Sequence, residues 1–114
     1  MKELIIIYLT DKLKDIFNDS KALRATYGAH IAKQIRKRLD DLDAVNNLDE
    51  MRFVTGKFHP LREDRIGQFA VSLDDHNRLV FEPANKPLPE REDGNLDWKK
   101  VTAVRIIEVK DYHG

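Results

Sequence analysis

Residues 66–82 read Ile66-Gly67-Gln68-Phe69-Ala70-Val71-Ser72-Leu73-Asp74-Asp75-His76-Asn77-Arg78-Leu79-Val80-Phe81-Glu82. Two runs of alternating character flank a cluster of turn formers. Phe69, Val71 and Leu73 recur at every second position, with Gln68, Ala70 and Ser72 between them. That two-residue period belongs to a strand with one apolar face. Asp74-Asp75-His76-Asn77 supplies side chains that bond to their own backbone in tight turns. Arg78 to Glu82 resumes the alternation through Leu79 and Phe81, until Pro83 removes a backbone donor and ends it. The stretch predicts an antiparallel hairpin, apolar on one side and polar on the other.

Toward the carboxyl end, Val101 to Val109 is β-branched and partly apolar on both faces, as a central strand would be. The segment between, Ala84 to Lys100, is a long loop. It carries Pro87, Pro89, Gly94 and the charged run Glu90-Arg91-Glu92-Asp93, with Trp98 to anchor its return. Toward the amino end, Phe53 to Asp64 reads as irregular around Gly56 and Pro60, and Leu48 to Met51 as a single helical turn. Ile31, Ile35, Leu39, Leu42 and Val45 recur at spacings of four and three, which is one apolar stripe of a helix beginning at Ala29. Lys33, Arg36, Lys37 and Arg38 fall off that stripe and read as its wet side. Two shorter helices precede it. Thr10 or Asp11 caps one that carries Leu13, Ile16 and Phe17; the second runs from Lys21 to Tyr27, capped within Asn18-Asp19-Ser20 and ended by Gly28. Leu4 to Leu9 reads as a buried strand. The expected fold is α+β in a single domain spanning 1–114, with an N-terminal strand and helices packed on one face of a mainly antiparallel sheet. The other face, with Gln68, Ser72, Arg78 and Glu82, is expected to be polar and open.

The totals narrow the choice of function. Among 114 residues, 20 Lys and Arg balance 20 Asp and Glu, so a nucleic-acid surface must come from local clustering and not from net charge. With no cysteine, disulfides and thiolate metal sites are excluded, and a cytoplasmic location fits. Six apolar residues are too few for a membrane span, and no small-residue cleavage pattern follows them. Histidines at unrelated positions without a local carboxylate pattern make no metal motif, and no glycine-rich phosphate loop or nucleophile elbow is present.

Chemistry is concentrated on the polar face and its rims. Arg65 and Arg78 begin the two hairpin strands. His59 and Arg62 lie in the loop before them, and Asp111-Tyr112-His113 leaves the last strand. Breaking a phosphodiester requires a base for the 2′-hydroxyl, an acid for the leaving 5′-oxygen and cations for the crowded phosphate. Histidine and tyrosine can move the protons, and arginine offers phosphate a planar fork. The residues also admit plainer roles. Arg65 and Arg78 can be surface ion pairs with Asp64 and Asp75, and Tyr112 can cap the core with its hydroxyl in water. His30 and His76 read as structural or solvated.

Three segments carry a resemblance to a known family. Phe58-His59-Pro60-Leu61-Arg62-Glu63-Asp64-Arg65-Ile66-Gly67-Gln68-Phe69 resembles the "H-x-L-K-G-D-R-x-G-Q-[YF]" segment of HigB-type plasmid-maintenance killer proteins, in the RelE/ParE toxin superfamily. Asn77-Arg78-Leu79-Val80-Phe81 is similar to their "W-R-[IL]-x-F" strand, and Val109-Lys110-Asp111-Tyr112-His113 to their ending "[VI]-x-D-Y-H". The resemblance implies a RelE-like fold and a ribosome-dependent endoribonuclease that cleaves mRNA and inhibits translation. It implies a HigA-like helix-turn-helix antitoxin as partner, with ribosome and mRNA as targets, and no metal, cofactor or membrane. His59, Arg62, Asp111, Tyr112 and His113 match catalytic positions; Arg65, Arg78 and Gln68 match RNA- or phosphate-binding ones. Three features depart from the pattern. Glu63 stands where the family has glycine, Ala84 to Lys100 is an insertion of the kind found in a longer subgroup labelled "killer suppression protein", and the net charge is neutral. They motivate an alternative, a catalytically inactive RelE-fold module that binds a partner protein. Inhibition of gyrase, as in the ParE branch, is a third option that Asp-Tyr-His argues against. Side chains alternate along a strand, so Tyr112 and His113 can join Arg78 and Arg65 only if the chain bends after Asp111; that bend is expected.

Overall fold

The computed structural model describes residues 4–54 and 56–111. In chain order the elements are β1 (Ile5–Tyr8), α1 (Asp11–Phe17), α2 (Ser20–Tyr27), α3 (Ala29–Ala44), a 3-10 segment (Leu48–Phe53), β2 (His59–Pro60), a 3-10 turn (Glu63–Arg65), β3 (Phe69–Ser72), β4 (Asn77–Pro83), a 3-10 turn (Trp98–Lys100) and β5 (Ala103–Asp111). The strands form one sheet in the order β1-β5-β4-β3-β2. β1 runs parallel to β5, and the other three pairings are antiparallel. This is the expected α+β architecture, with the sheet mixed by one parallel edge.

Local chemistry places the helix boundaries. The Thr10 hydroxyl accepts from the Leu13 amide, 3.1 Å away, and opens α1. The Asp19 carboxylate accepts from Lys21 and Ala22 and opens α2. Gly28, at φ 85, turns the chain between α2 and α3 in a conformation that costs glycine nothing. The helices cover one face of the sheet. Phe17, Leu23, Ile35 and Leu42 share a single buried cluster with Phe69, Val71, Leu79, Phe81, Val104 and Ile106. Beside it Phe58 stacks on Phe69 with centroids 5.5 Å apart, and Trp98 meets Phe69 edge-on at 5.2 Å. Trp98 thus anchors the return of the 84–100 segment, as its sequence suggests. Asn85 closes the base of that segment by accepting from the Thr102 and Ala103 amides.

Four sequence expectations need correction. Leu4 to Leu9 is not a buried strand. β1 is an edge strand, and its outward side chains Ile5 and Ile7 are 49% and 40% exposed. The stretch 53–64 is not wholly irregular, because His59 and Pro60 pair with Ala70 and Phe69 as a two-residue edge strand. Pro60 has no amide to offer a further strand, which keeps this edge short. Arg38 does not lie on the wet side of α3. It is buried at 8% exposure, one turn from Ile35 and Leu42. Its Nε donates to the Ser72 carbonyl and its Nη1 to Asp41, each at 2.9 Å, so its burial is compensated on both sides. Finally, Arg65 does not begin a hairpin strand: it ends the 3-10 turn Glu63–Arg65, and after Gly67, at φ 95, β3 starts only at Phe69. β5, for its part, changes phase along its length. Its register with β4 shifts between Val80 and Phe81, so Phe81 faces Ile106 while Val80 faces Glu108. The extra residue, Ile107, is a bulge that turns the odd-numbered positions beyond it toward the core. Among the described residues no helix is long and apolar enough to cross a membrane.

Candidate nucleic-acid interface

Residues directly opposite on paired strands share a face. The register therefore lines up His59, Ala70, Val80 and Glu108 in one row across β2, β3, β4 and β5. About 7 Å further along the strands, Ser72, Arg78 and Lys110 form a second row. Their neighbours in sequence, Val71, Leu79 and Val109, pack into the core. Both rows thus belong to the face away from the helices.

His59 is exposed at the β2 edge, and its Nδ1 lies 2.8 Å from the Lys57 carbonyl. A carbonyl only accepts, so Nδ1 carries the proton and the neutral ring keeps Nε2 as an acceptor turned away from that bond. Arg62 is exposed in the loop that joins β2 to β3. That loop is closed by the Leu61 amide on the Gln68 carbonyl at 2.8 Å and by the Arg65 amide on the Arg62 carbonyl at 3.1 Å. Within it Glu63 takes a left-handed φ of 57°. Arg65 leaves the loop and reaches over the sheet. Its Nε donates to Gln68 Oε1 at 2.8 Å, and its Nη2 pairs with Glu108 on β5. Beneath this span Ala70 and Val80 are fully buried, although they point away from the helices. Arg78 turns toward its own hairpin, with Nη1 3.0 Å from the Asp74 carbonyl and 3.2 Å from that of Asn77. The Asp74 carboxylate accepts from the His76 and Asn77 amides, and these bonds hold its pKa below the usual aspartate range. Beside these rows Arg105 pairs with Glu82 at 2.6 Å.

The structure thus collects His59, Gln68, Arg65 and Arg78 on the open face or its rim, with Arg62 at the adjoining loop. Asp111 is placed otherwise. It pairs with Asn77, which shares the face of Leu79, so it lies exposed on the other side of β5 from Glu108 and Lys110. Tyr112, His113 and the expected bend toward Arg78 lie outside the described residues. Sequence reasoning missed Glu108 and Lys110 as members of this face. The available signal was the doublet Ile106-Ile107, which breaks the alternation of the strand and marks the change of phase.

Chemically, the face offers an imidazole acceptor and several cations above a sheet floor of short side chains. That combination suits a phosphate-bearing chain. No protein-family model and no curated protein sequence matches the chain. Solved structures do. A YoeB/ParE toxin from Agrobacterium tumefaciens superposes with a TM-score of 0.58 at 12% identity, over 96% of this chain and 100% of that one. A YoeB–YefM complex from Staphylococcus aureus gives 0.57 at 15% identity, over 98% of this chain and 99% of that one. A YoeB dimer from the same organism gives 0.54 at 17%, with 98% and 99% covered. The likeness runs over nearly the full length of both partners in each comparison, and the chain has the fold of the YoeB/ParE toxins.

Proposed function

We propose that this protein is the toxin of a type II toxin–antitoxin pair, a HigB-like endoribonuclease that cuts mRNA on the ribosome and stops translation. The observation that carries the proposal is the row from His59 to Glu108 with Arg65 across it, flanked by Arg78 and Lys110, on a YoeB/ParE fold. In the proposed reaction the 2′-oxygen attacks the adjacent phosphorus, the P–O2′ bond forms and the P–O5′ bond breaks. A base takes the 2′-hydroxyl proton, and an acid returns one to the 5′-oxygen. His59 suits the base, because its Nδ1–H is tied to Lys57 and Nε2 accepts. Tyr112 and His113 are assigned the remaining proton transfers from their sequence motif. Arg62, Arg65, Arg78 and Gln68 hold the phosphate. The partner is a HigA-like helix-turn-helix antitoxin, and the site of action is the cytoplasm, where ribosomes are.

Expression of the protein in a bacterium is expected to arrest growth and lower protein synthesis. Arg78→Ala combined with His113→Ala is expected to restore growth while the protein stays folded. Programmed ribosomes mixed with the purified protein should show codon-dependent cuts in the message. A second reading, a non-catalytic module that binds a partner protein, is favoured by the pairing of Arg65 with Glu108 and by the neutral net charge. Intact message on programmed ribosomes, together with tight binding of the helix-turn-helix partner, would establish that reading instead.

A further inference from the structure

Arg65 is anchored at both ends of its reach. Gln68, beside β3, accepts from Nε, and Glu108 on β5 receives Nη2. The side chain therefore bridges strands that β4 separates, above the buried Ala70 and Val80. Glu108 stands on this face because of the bulge at Ile107; with an unbroken alternation it would share the core side with Val104 and Ile106. A carboxylate presents oxygen acceptors to a guanidinium much as a phosphate does. Glu108 thus already makes the contact that a phosphodiester would make with Arg65.

We propose that Glu108 is a built-in competitor for Arg65: an RNA phosphate takes the guanidinium only by displacing this carboxylate, and Glu108 thereby sets the affinity and salt dependence of the open face. The inference rests on the RNA-binding reading above. The displacement is within reach of a phosphate. The Arg65 and Glu108 side chains are 28% and 38% exposed, and pairs so solvated are weak. The charges also predict a signature. With Glu108 beside it, an Arg65–phosphate contact keeps one net negative charge, so the phosphate holds its condensed cation. With glutamine there the contact is neutral, and the cation is released.

The test is a cycle of wild type, Glu108→Gln, Arg65→Ala and the double variant, titrated with a labelled single-stranded RNA over a range of salt. Glutamine keeps the length and one acceptor oxygen, so the fold is preserved, as an amide correlation spectrum would verify. Glu108→Gln is expected to tighten RNA binding about two- to five-fold, the range of a partly exposed pair. The slope of log affinity against log salt should steepen by about 0.7, the single-strand increment per phosphate. In the Arg65→Ala background the same change should do neither. An equal gain in both backgrounds would reveal a general charge effect and overturn the proposal, as would no gain from Glu108→Gln alone. If wild type binds no RNA, the RNA reading itself fails. Inorganic phosphate then decides the inference separately, through the nitrogen resonances of the Arg65 guanidinium. A shift at lower phosphate concentration in Glu108→Gln than in wild type supports competition, and identical titrations overturn it.

Discussion

Glu63 holds a left-handed φ of 57°, a conformation in which a β-carbon crowds the following carbonyl. The family motif that this loop resembles has glycine there, the residue to which that conformation costs least. Glu63→Gly should therefore relieve strain, offset in part by the greater freedom of glycine in the unfolded chain. The expected net gain is about 0.5–1 kcal/mol, measured by urea unfolding at neutral pH. Asp74 acts through protons. Its carboxylate accepts the His76 and Asn77 amides and its folded pKa is lowered, so its contribution is present above the ordinary aspartate value of about 3.9 and is lost as pH falls through the folded value. Asp74→Asn keeps an acceptor but does not titrate. The variant should show a shallower decline of the urea midpoint below about pH 4 than wild type. If the two declines coincide, the turn carboxylate is not the source of the acid sensitivity.

At the scale of elements, Arg38 shows how a strand and a helix are joined by a polar side chain. α3 packs on the sheet through Ile35 and Leu42, and Arg38 between them reaches the Ser72 carbonyl at the end of β3. The neighbouring loop closes over it. A β-carbon at Gly56 would come within 3.0 Å of the guanidinium carbon, and Gly56 accepts the Ser72 amide through its own carbonyl. Arg38→Met would fill much of the volume but leave the Ser72 carbonyl and Asp41 without this donor. Asp41 is partly solvated, so the cost should fall near the lower end for broken buried pairs, about 2–3 kcal/mol in urea unfolding. A loss below about 0.5 kcal/mol, the size of an ordinary surface change, would mean that the guanidinium is a bystander.

Over the whole molecule, the first strand pairs with the last. β1 pairs with β5 from Ile5↔Ala103 to Tyr8↔Ile106, a contact that closes almost the full length of the chain. The Leu4 amide also bonds the Val45 carbonyl just after α3, and Leu48 bonds Val101. β1 therefore ties the helices to β5, which carries Val104 and Ile106 into the core. Deleting residues 1–8 would leave β5 as an edge and uncover the cluster around Val104 and Ile106. The expected outcome is loss of a cooperative thermal transition followed by circular dichroism; a sharp transition close to that of wild type would show that the helices and the remaining strands are self-sufficient.

The sequence alone determined what depends on near neighbours. The period-two runs on either side of Asp74-Asp75-His76-Asn77 specified the hairpin, the cap formers at Thr10-Asp11 and Asn18-Asp19-Ser20 and the break at Gly28 divided the helices, and Trp98 marked the return of the long loop. Each rests on turn chemistry or on side-chain period, which act over a few residues. Tertiary structure decided the rest. It put β1 at the edge although its residues read as buried, because burial depends on how many strands lie beside it and not on its own composition. It drew Arg38 into the core by supplying a carbonyl from residue 72. It turned His59 into a strand residue through a partner at Ala70. Through one bulged residue it placed Glu108 and Lys110 beside Arg65 and Arg78, and set Asp111 on the opposite face. Those outcomes depend on register, and register is a property of two strands together, which local sequence can only hint at.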